Sequence, residues 1–239
     1  MPAKKLKLYN VVNTTNPKFE KYNGLPQMSY SAYTSWRSEA YRGAFIANKF
    51  LGIPDPGSIF TDYGSACGKY LETRGSANPE RSPLLSAADV EILDKVVLPP
   101  GSVFEREVML RRADYCIIGY IDMCSTSPEG KLEVRDFKTG SDKKVKEYAN
   151  PDYQQTRLYA HALEKEEGEE VGYVGVELLH RKGNKVIPND KNTLRLEGPV
   201  TAVPTPFDRK EITFFLEGVD KVAEEISDFI TFYQKYFAA

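Results

Sequence analysis

The segment EVRDFKTG, residues 133–140, decides how the rest of the chain is read. It has the pattern of a β-strand running into a turn. Side chains alternate along a strand, so Asp136 and Lys138 share one face while Phe137 points to the other. A carboxylate and an ammonium on one face of an apolar strand are either an ion pair on a wet sheet or two parts of a catalytic site. As a surface pair they are worth about 0–1 kcal/mol, and the triplet alone says no more than that.

Strand character extends upstream. VFEREVMLR (103–111) alternates, YCIIGYIDMC (115–124) is β-rich, SPEG (127–130) makes a turn and KLEVRDF (131–137) returns, which is a hairpin pattern. Before it, SYSAYTSWRSEAYRGAFIANKFLG (29–52) repeats Tyr30, Tyr33, Trp36, Ala40 and Phe45 near helical spacing and stops at Gly52 and Pro54. TDYGSACGKYLETR (61–74) predicts a shorter helix, and a third follows Ser86 and closes at Pro99 and Pro100.

Downstream, Asn150-Pro151 predicts the N-cap and first turn of a helix through DYQQTRLYAHALEKEE, stopped at Gly168. VGYVGVELLH (171–180) is another strand. Asp208 and Glu211 form a capping-box pattern for a final helix to about Phe237, roughly 40 Å long. This order predicts a single α/β (α+β) domain over 1–239 with a central mixed sheet flanked by helices. Its parts are an irregular arm (1–28), a helical region (29–100), a core (101–200) and a long C-terminal helix (207–237).

The chain has 239 residues, 41% of them hydrophobic, enough for a sizeable core and unlike a disordered chain. The 32 basic residues against 34 acidic argue against a whole-surface nucleic-acid binder but leave room for a local basic groove. Three cysteines with no CxxC pair indicate neither a disulfide framework nor a zinc or iron–sulfur site. No 18-residue apolar stretch or signal-peptide pattern occurs, so a soluble, cytoplasmic protein without a membrane partner is expected.

Asp122 lies late in its strand and Asp136 late in the next, so a short turn could bring both carboxylates together across the sheet. Converging carboxylates repel and have raised pKa values, a conflict that a divalent cation removes. Mg²⁺ takes a few carboxylates plus water and phosphate oxygens. Lys138 could then orient or deprotonate the attacking water, or offset charge on a phosphate, which are parts of metal-assisted phosphodiester hydrolysis. Three neighbours strengthen this reading: Asp122 in Gly-x-x-Asp, Thr139-Gly140 after the lysine, and Gln155-x-x-x-Tyr159, whose i,i+4 spacing shares a helix face.

GYID, VRDFKTG and QQTRLYA together resemble the nuclease core of the PD-(D/E)XK superfamily, with the RecB-like exonucleases of phage and CRISPR-adaptation type as the nearest branch. The resemblance runs from about residue 29 to residue 180. It implies a restriction-endonuclease-like core, metal ligands at Asp122, Asp136 and the Phe137 backbone carbonyl, and Lys138 as the catalytic lysine. Gln155 and Tyr159 would support the site or touch the DNA backbone. Glu107 matches the acidic residue often found on the preceding strand, with Glu105 as the competing register.

One departure stands out. The family histidine would follow Gly64 by four residues, where this chain has Gly68, which weakens the case for a second metal; Glu72 is a candidate substitute. His161 is read as structural or solvated and His180 as solvated. Lys143, Lys144, Lys146, Arg181, Lys182 and Lys185 are the candidate DNA-binding cations. Tyr30, Tyr33 and Trp36 have the types that stack on single-stranded bases, but their helical spacing favours a core role.

The resemblance therefore implies a Mg²⁺- or Mn²⁺-dependent deoxyribonuclease without an iron–sulfur cluster. It would be an exonuclease of DNA recombination, repair or replication in a bacterial or phage-infected cell. Its partners would be single- or double-stranded DNA and a recombination or replication protein. The alternatives are a catalytically weak DNA-binding or assembly subunit that keeps the fold, and a structure-specific endonuclease.

Overall fold

A computed structural model describes residues 25–51, 53, 57–183 and 193–236. Most of the predicted arm, Gly52, Pro54, Lys185 and Phe237 lie outside these residues. The described elements are β1 (Gln27–Met28), α1 (Tyr30–Arg37), α2 (Glu39–Phe50), α3 (Ile59–Thr73), α4 (Ala87–Asp94), β2 (Val103–Arg111), β3 (Cys116–Thr126), β4 (Leu132–Gly140), α5 (Lys143–Ala149), α6 (Gln155–Ala162), β5 (Val171–Lys182), β6 (Arg195–Leu196), β7 (Thr201–Pro204) and α7 (Arg209–Tyr236). The strands form one mixed sheet with helices packed on it, the restriction-endonuclease-like α/β arrangement that the sequence predicts. None of the described helices is long and apolar enough to cross a membrane.

The two edges of β3 are used differently. One pairs antiparallel with β2 from Val103↔Cys124 to Arg111↔Cys116. The other pairs parallel with β1 at Cys116 and Ile117, and antiparallel with β4 only from Met123↔Arg135 to Thr126↔Leu132. Between these two pairings the second edge is open. Meanwhile β4 pairs in parallel with β5 along its whole length, including Asp136↔Val176 and Lys138↔Leu178. The sheet is therefore held on both flanks and parted in the middle.

Two cores cover its faces. Tyr33, Trp36, Val108, Ile117, Ile121, Leu158, Tyr159 and one apolar stripe of α7 form the first. Tyr63, Cys67, Leu71, Leu93, Met123 and Phe137 form the second, beneath α3 and α4. The aromatic residues of α1 follow the core reading: Tyr33 and Trp36 are buried, and the Trp36 indole N–H donates to Glu225 at 2.9 Å. In the second core the buried Asp89 carboxylate takes the Tyr63 hydroxyl at 2.9 Å, the Leu196 N–H at 2.7 Å and the Ser86 N–H at 2.8 Å. A buried carboxylate is tolerable when its lone pairs are so occupied, and this one ties α3, α4 and β6 together.

Several boundaries differ from expectation. The helix expected over 29–52 is two helices, because Ser38 adopts an extended conformation and its carbonyl accepts the Arg42 N–H at 2.9 Å to start α2. Asn150 caps the end of α5 rather than starting a helix. Its extended backbone is the one favoured before a proline, and its carbonyl accepts the Tyr153 N–H at 3.0 Å in a turn. The helix then begins at Gln155 and widens to a π-helical turn over Leu163–Glu167 before Gly168. Asp208 Oδ1 accepts the Lys210 N–H at 2.7 Å, one position short of the Glu211 N–H that a capping box uses.

Tyr159 fills the open edge of β3. A Cβ on Gly119 would lie 2.2 Å from Tyr159 Cε1, so this glycine is required by the ring beside it. Gly119→Ala is expected to destabilise the protein by about 1–3 kcal/mol through overpacking. Tyr159→Leu should suppress part of that loss when combined with it, because the two positions share one volume. Thermal denaturation of the two single variants and the double variant measures the coupling.

Candidate active site

The site forms where β3 and β4 part. Continuing their register would set Asp122 opposite Asp136, but the ladder stops one pair earlier. In its place Asp122 Oδ2 accepts the Phe137 N–H at 2.7 Å. A carboxylate oxygen thus satisfies a backbone donor that would otherwise be orphaned at the fork. Asp136 is only 1% exposed; its Oδ2 lies 2.6 Å from Lys138 Nζ and 3.3 Å from the Tyr153 hydroxyl, which donates to it. The other oxygen, Asp136 Oδ1, is buried without a hydrogen-bond partner.

The electrostatics follow from this packing. Burial first, and the charge of Asp136 second, push the Asp122 carboxyl up to about 7, against Lys138 and the Phe137 N–H. Burial alone would lower Lys138; the charges of Asp136 and Asp122 outweigh it and hold the ammonium above the ordinary lysine range.

A cavity of about 810 Å³ opens beside these groups, lined by Asp122, Phe137, Lys138, Glu105, Gly68 and Glu72 among others. Glu105, rather than Glu107, reaches it. Residue 105 occupies the register position opposite Asp122, between Phe104↔Met123 and Arg106↔Ile121. Its φ of 51° is left-handed, a conformation that costs a non-glycine residue on the order of 1–3 kcal/mol. The facing of β2 changes along this stretch: Phe104 packs on the α3/α4 core, whereas Val108 and Leu110 face the α6/α7 core. Glu107 pairs with Tyr120 instead and accepts its hydroxyl at 3.0 Å.

Gln155 and Tyr159 share a helix face, and Gln155 Nε2 donates to the Tyr159 hydroxyl at 3.3 Å. Gln155 Oε1 lies 3.2 Å from the Tyr153 hydroxyl, so both residues connect to Asp136 through Tyr153. Sequence reasoning missed Tyr153. Its available signal was the Asn-Pro turn just before the Gln-x-x-x-Tyr helix.

The candidate DNA-binding cations divide. Lys143 and Lys146 are exposed on α5, while Lys144 is held by Glu147 at 2.6 Å. Arg181 lies over the Phe60 ring at 4.3 Å, and Lys182 pairs with Glu197. His180 is not merely solvated: its ring nitrogens lie 2.7 Å from Asp142 Oδ1 and 2.7 Å from Thr201 Oγ1. His161 sits off the site, and burial holds it below the usual histidine range. Glu72 lines the cavity and pairs with Lys69 at 2.8 Å.

Among the described residues, no three His, Cys, Asp or Glu side chains gather as a ready-made metal cluster. The donor set nonetheless fits a hard divalent cation. Mg²⁺ commonly uses only one or two carboxylates and fills its remaining positions with water and phosphate oxygens. A buried carboxylate oxygen without a partner, beside a second carboxyl driven up by burial and then by its neighbour's charge, is a place where positive charge is favoured.

No curated protein matches the chain. Among solved structures, the crystal structure of SSO0001 aligns at 14% identity over 86% of this chain and 81% of that one, with a TM-score of 0.40. The family model of the PD-(D/E)XK nuclease superfamily matches residues 65–235, a span that contains Asp122, Asp136, Lys138, Gln155 and Tyr159. By that match the chain belongs to the PD-(D/E)XK nuclease superfamily.

Proposed function

We propose that this protein is a divalent-metal-dependent DNA exonuclease of the RecB-like branch, acting in recombination, repair or replication. The observation that carries the reading is the buried Asp136 carboxylate, one oxygen on Lys138 and the other bare, beside Asp122 on an open cavity. Asp122, Asp136 and the Phe137 carbonyl would hold Mg²⁺ or Mn²⁺, with Glu105 on the same cavity as a further carboxylate. The cation supplies Lewis-acid polarisation of the phosphodiester and neutralises developing charge.

The chain's own residues do the rest. Lys138, 2.6 Å from Asp136 Oδ2 on the cavity, would orient or deprotonate the attacking water, or offset charge on the phosphate. Gln155 and Tyr159 line a second groove with Tyr30 and Thr34, suited to the sugar–phosphate backbone. Lys143 and Lys146 add sequence-independent attraction.

End-labelled linear DNA and covalently closed circles, each with Mg²⁺, Mn²⁺ or EDTA, test the reading. Labelled mononucleotides released from linear DNA alone support it; cleavage of circles favours the endonuclease alternative. Asp136→Ala and Lys138→Ala should keep the fold and lose about 10²–10³-fold in turnover. Near-normal rates in either variant would discard the site assignment.

Stability gives a test independent of turnover. The folded-state pKa of Asp122, about 7, lies above the ordinary carboxylate value of about 3.9. The folded protein therefore binds this proton more tightly than the unfolded chain does. That contribution is fully present at low pH and is lost as pH rises from about 4 through about 7. Asp122→Asn is expected to stabilise the metal-free protein at pH 8 by on the order of 1 kcal/mol, or about 2–4 °C. Saturating Mn²⁺ should reverse the order by stabilising only the wild type, by about 2.7 kcal/mol at a hundredfold excess over Kd. Melting curves with EDTA and with Mn²⁺ show both effects.

Gly68 bears on the number of metals. A Cβ there meets nothing within 4 Å, and the residue faces the cavity. Imidazole suits Mn²⁺ better than Mg²⁺, so Gly68→His should tighten a second Mn²⁺ equivalent in calorimetric titration. Replacing a mid-helix glycine should itself add roughly 0.5–1 kcal/mol of stability. Two tight sites already present in the wild type would give the histidine's role to Glu105 or Glu72.

A further inference from the structure

Tyr153 belongs to no motif, yet its hydroxyl lies 3.3 Å from Asp136 Oδ2 and 3.2 Å from Gln155 Oε1. A phenol has one proton to donate, and here it stands between two acceptors at nearly equal distance. The ring is fixed from two sides. The Tyr153 backbone N–H bonds the Asn150 carbonyl in the turn after α5, and the ring meets Tyr148 edge-on at 5.0 Å. Tyr148 is itself buried against Val176 and Leu178 of β5, the strand that pairs with β4 at Asp136 and Lys138. The α5–α6 turn thus delivers a rigid hydroxyl to one oxygen of the carboxylate.

We infer that Tyr153 is a positioning residue for metal binding: with Lys138 it engages Asp136 Oδ2, fixes the carboxylate plane and keeps Oδ1 presented for the cation. Through the same hydroxyl it links the Gln155–Tyr159 pair to that carboxylate. The inference rests on Asp136 being a metal ligand, so the two must be tested separately. Groups that orient a ligating carboxylate typically change metal affinity or activity by about 10–100-fold when removed, which sets the expected effect.

The experiment is calorimetric Mn²⁺ titration of the DNA-free protein, with melting curves in EDTA, for wild type, Asp136→Ala, Tyr153→Phe and Tyr153→Leu. Tyr153→Phe keeps the ring against Tyr148 and should melt within about 2 °C of wild type. Its Mn²⁺ affinity is expected to fall about tenfold or more. Tyr153→Leu should melt lower and yet bind Mn²⁺ about as weakly as the Phe variant. Wild-type affinity in Tyr153→Phe, with loss confined to Tyr153→Leu, would make Tyr153 a packing residue and overturn the inference while leaving the metal reading intact. A wild type that binds no Mn²⁺, or an Asp136→Ala variant that binds it normally, removes the metal reading and this inference with it.

Discussion

The bond from the Phe137 N–H to Asp122 Oδ2 holds open the fork between β3 and β4, and the site exists only because of that fork. Paired strands lie about 4.8 Å apart, which leaves no room between them for a cation or a phosphate. Parting two strands inside a sheet normally orphans backbone donors and acceptors, at a cost comparable to each lost bond. Here a side chain that chemistry needs in any case accepts one of those donors. The outer edges stay paired, β3 with β2 and β4 with β5, so the fork is a fixed opening rather than a frayed end. A rigid frame of this kind holds reacting groups better than a loop does.

The charges at the fork are balanced tightly enough that each group depends on the others. Asp136 is buried and pairs with Lys138, 2.6 Å away, whose side chain is 30% exposed at the cavity. One ammonium lies near two carboxyls, and the second, Asp122, has its proton affinity raised by burial first and by the Asp136 charge second. Buried ion pairs of this sort are poor sources of stability, because desolvation offsets most of the attraction. Perturbed groups gathered at a cleft therefore point to function more than to folding. The left-handed backbone at Glu105 has the same character: local strain that brings a third carboxylate to the cavity wall.

The hairpin, the Gln155/Tyr159 face and the long last helix were legible because each depends on a local pattern: alternation, i,i+4 spacing and a cap. What escaped depended on geometry that no period encodes. Strict alternation along β2 cannot distinguish Glu105 from Glu107, because the two share one face by alternation, and nothing in the side chain of Glu105 announces its left-handed backbone. Asn150-Pro151 marked a true helix boundary, but that dipeptide suits the end of one helix and a turn as well as the start of another. Ser38 breaks its helix with a backbone conformation that serine permits but does not require. Tyr153 meets Asp136, and His180 meets Asp142, only through tertiary packing, across 17 and 38 positions of sequence.

Three glycines near the fork separate steric necessity from open space. Gly119 has none to spare, since any side chain would enter the Tyr159 ring. Gly64 packs tightly, because its Cβ would stand 3.3 Å from Thr139 Oγ1 and press on the turn that follows Lys138. Gly68, one helical turn further along α3, is under no such constraint, and a Cβ there would project into free volume. Helical propensity argues against glycine at that position by about 0.5–1 kcal/mol. Neither packing nor propensity therefore accounts for Gly68. What its missing side chain leaves is a wider cavity wall across from Asp122 and Lys138, and that width is available to whatever the cavity must admit.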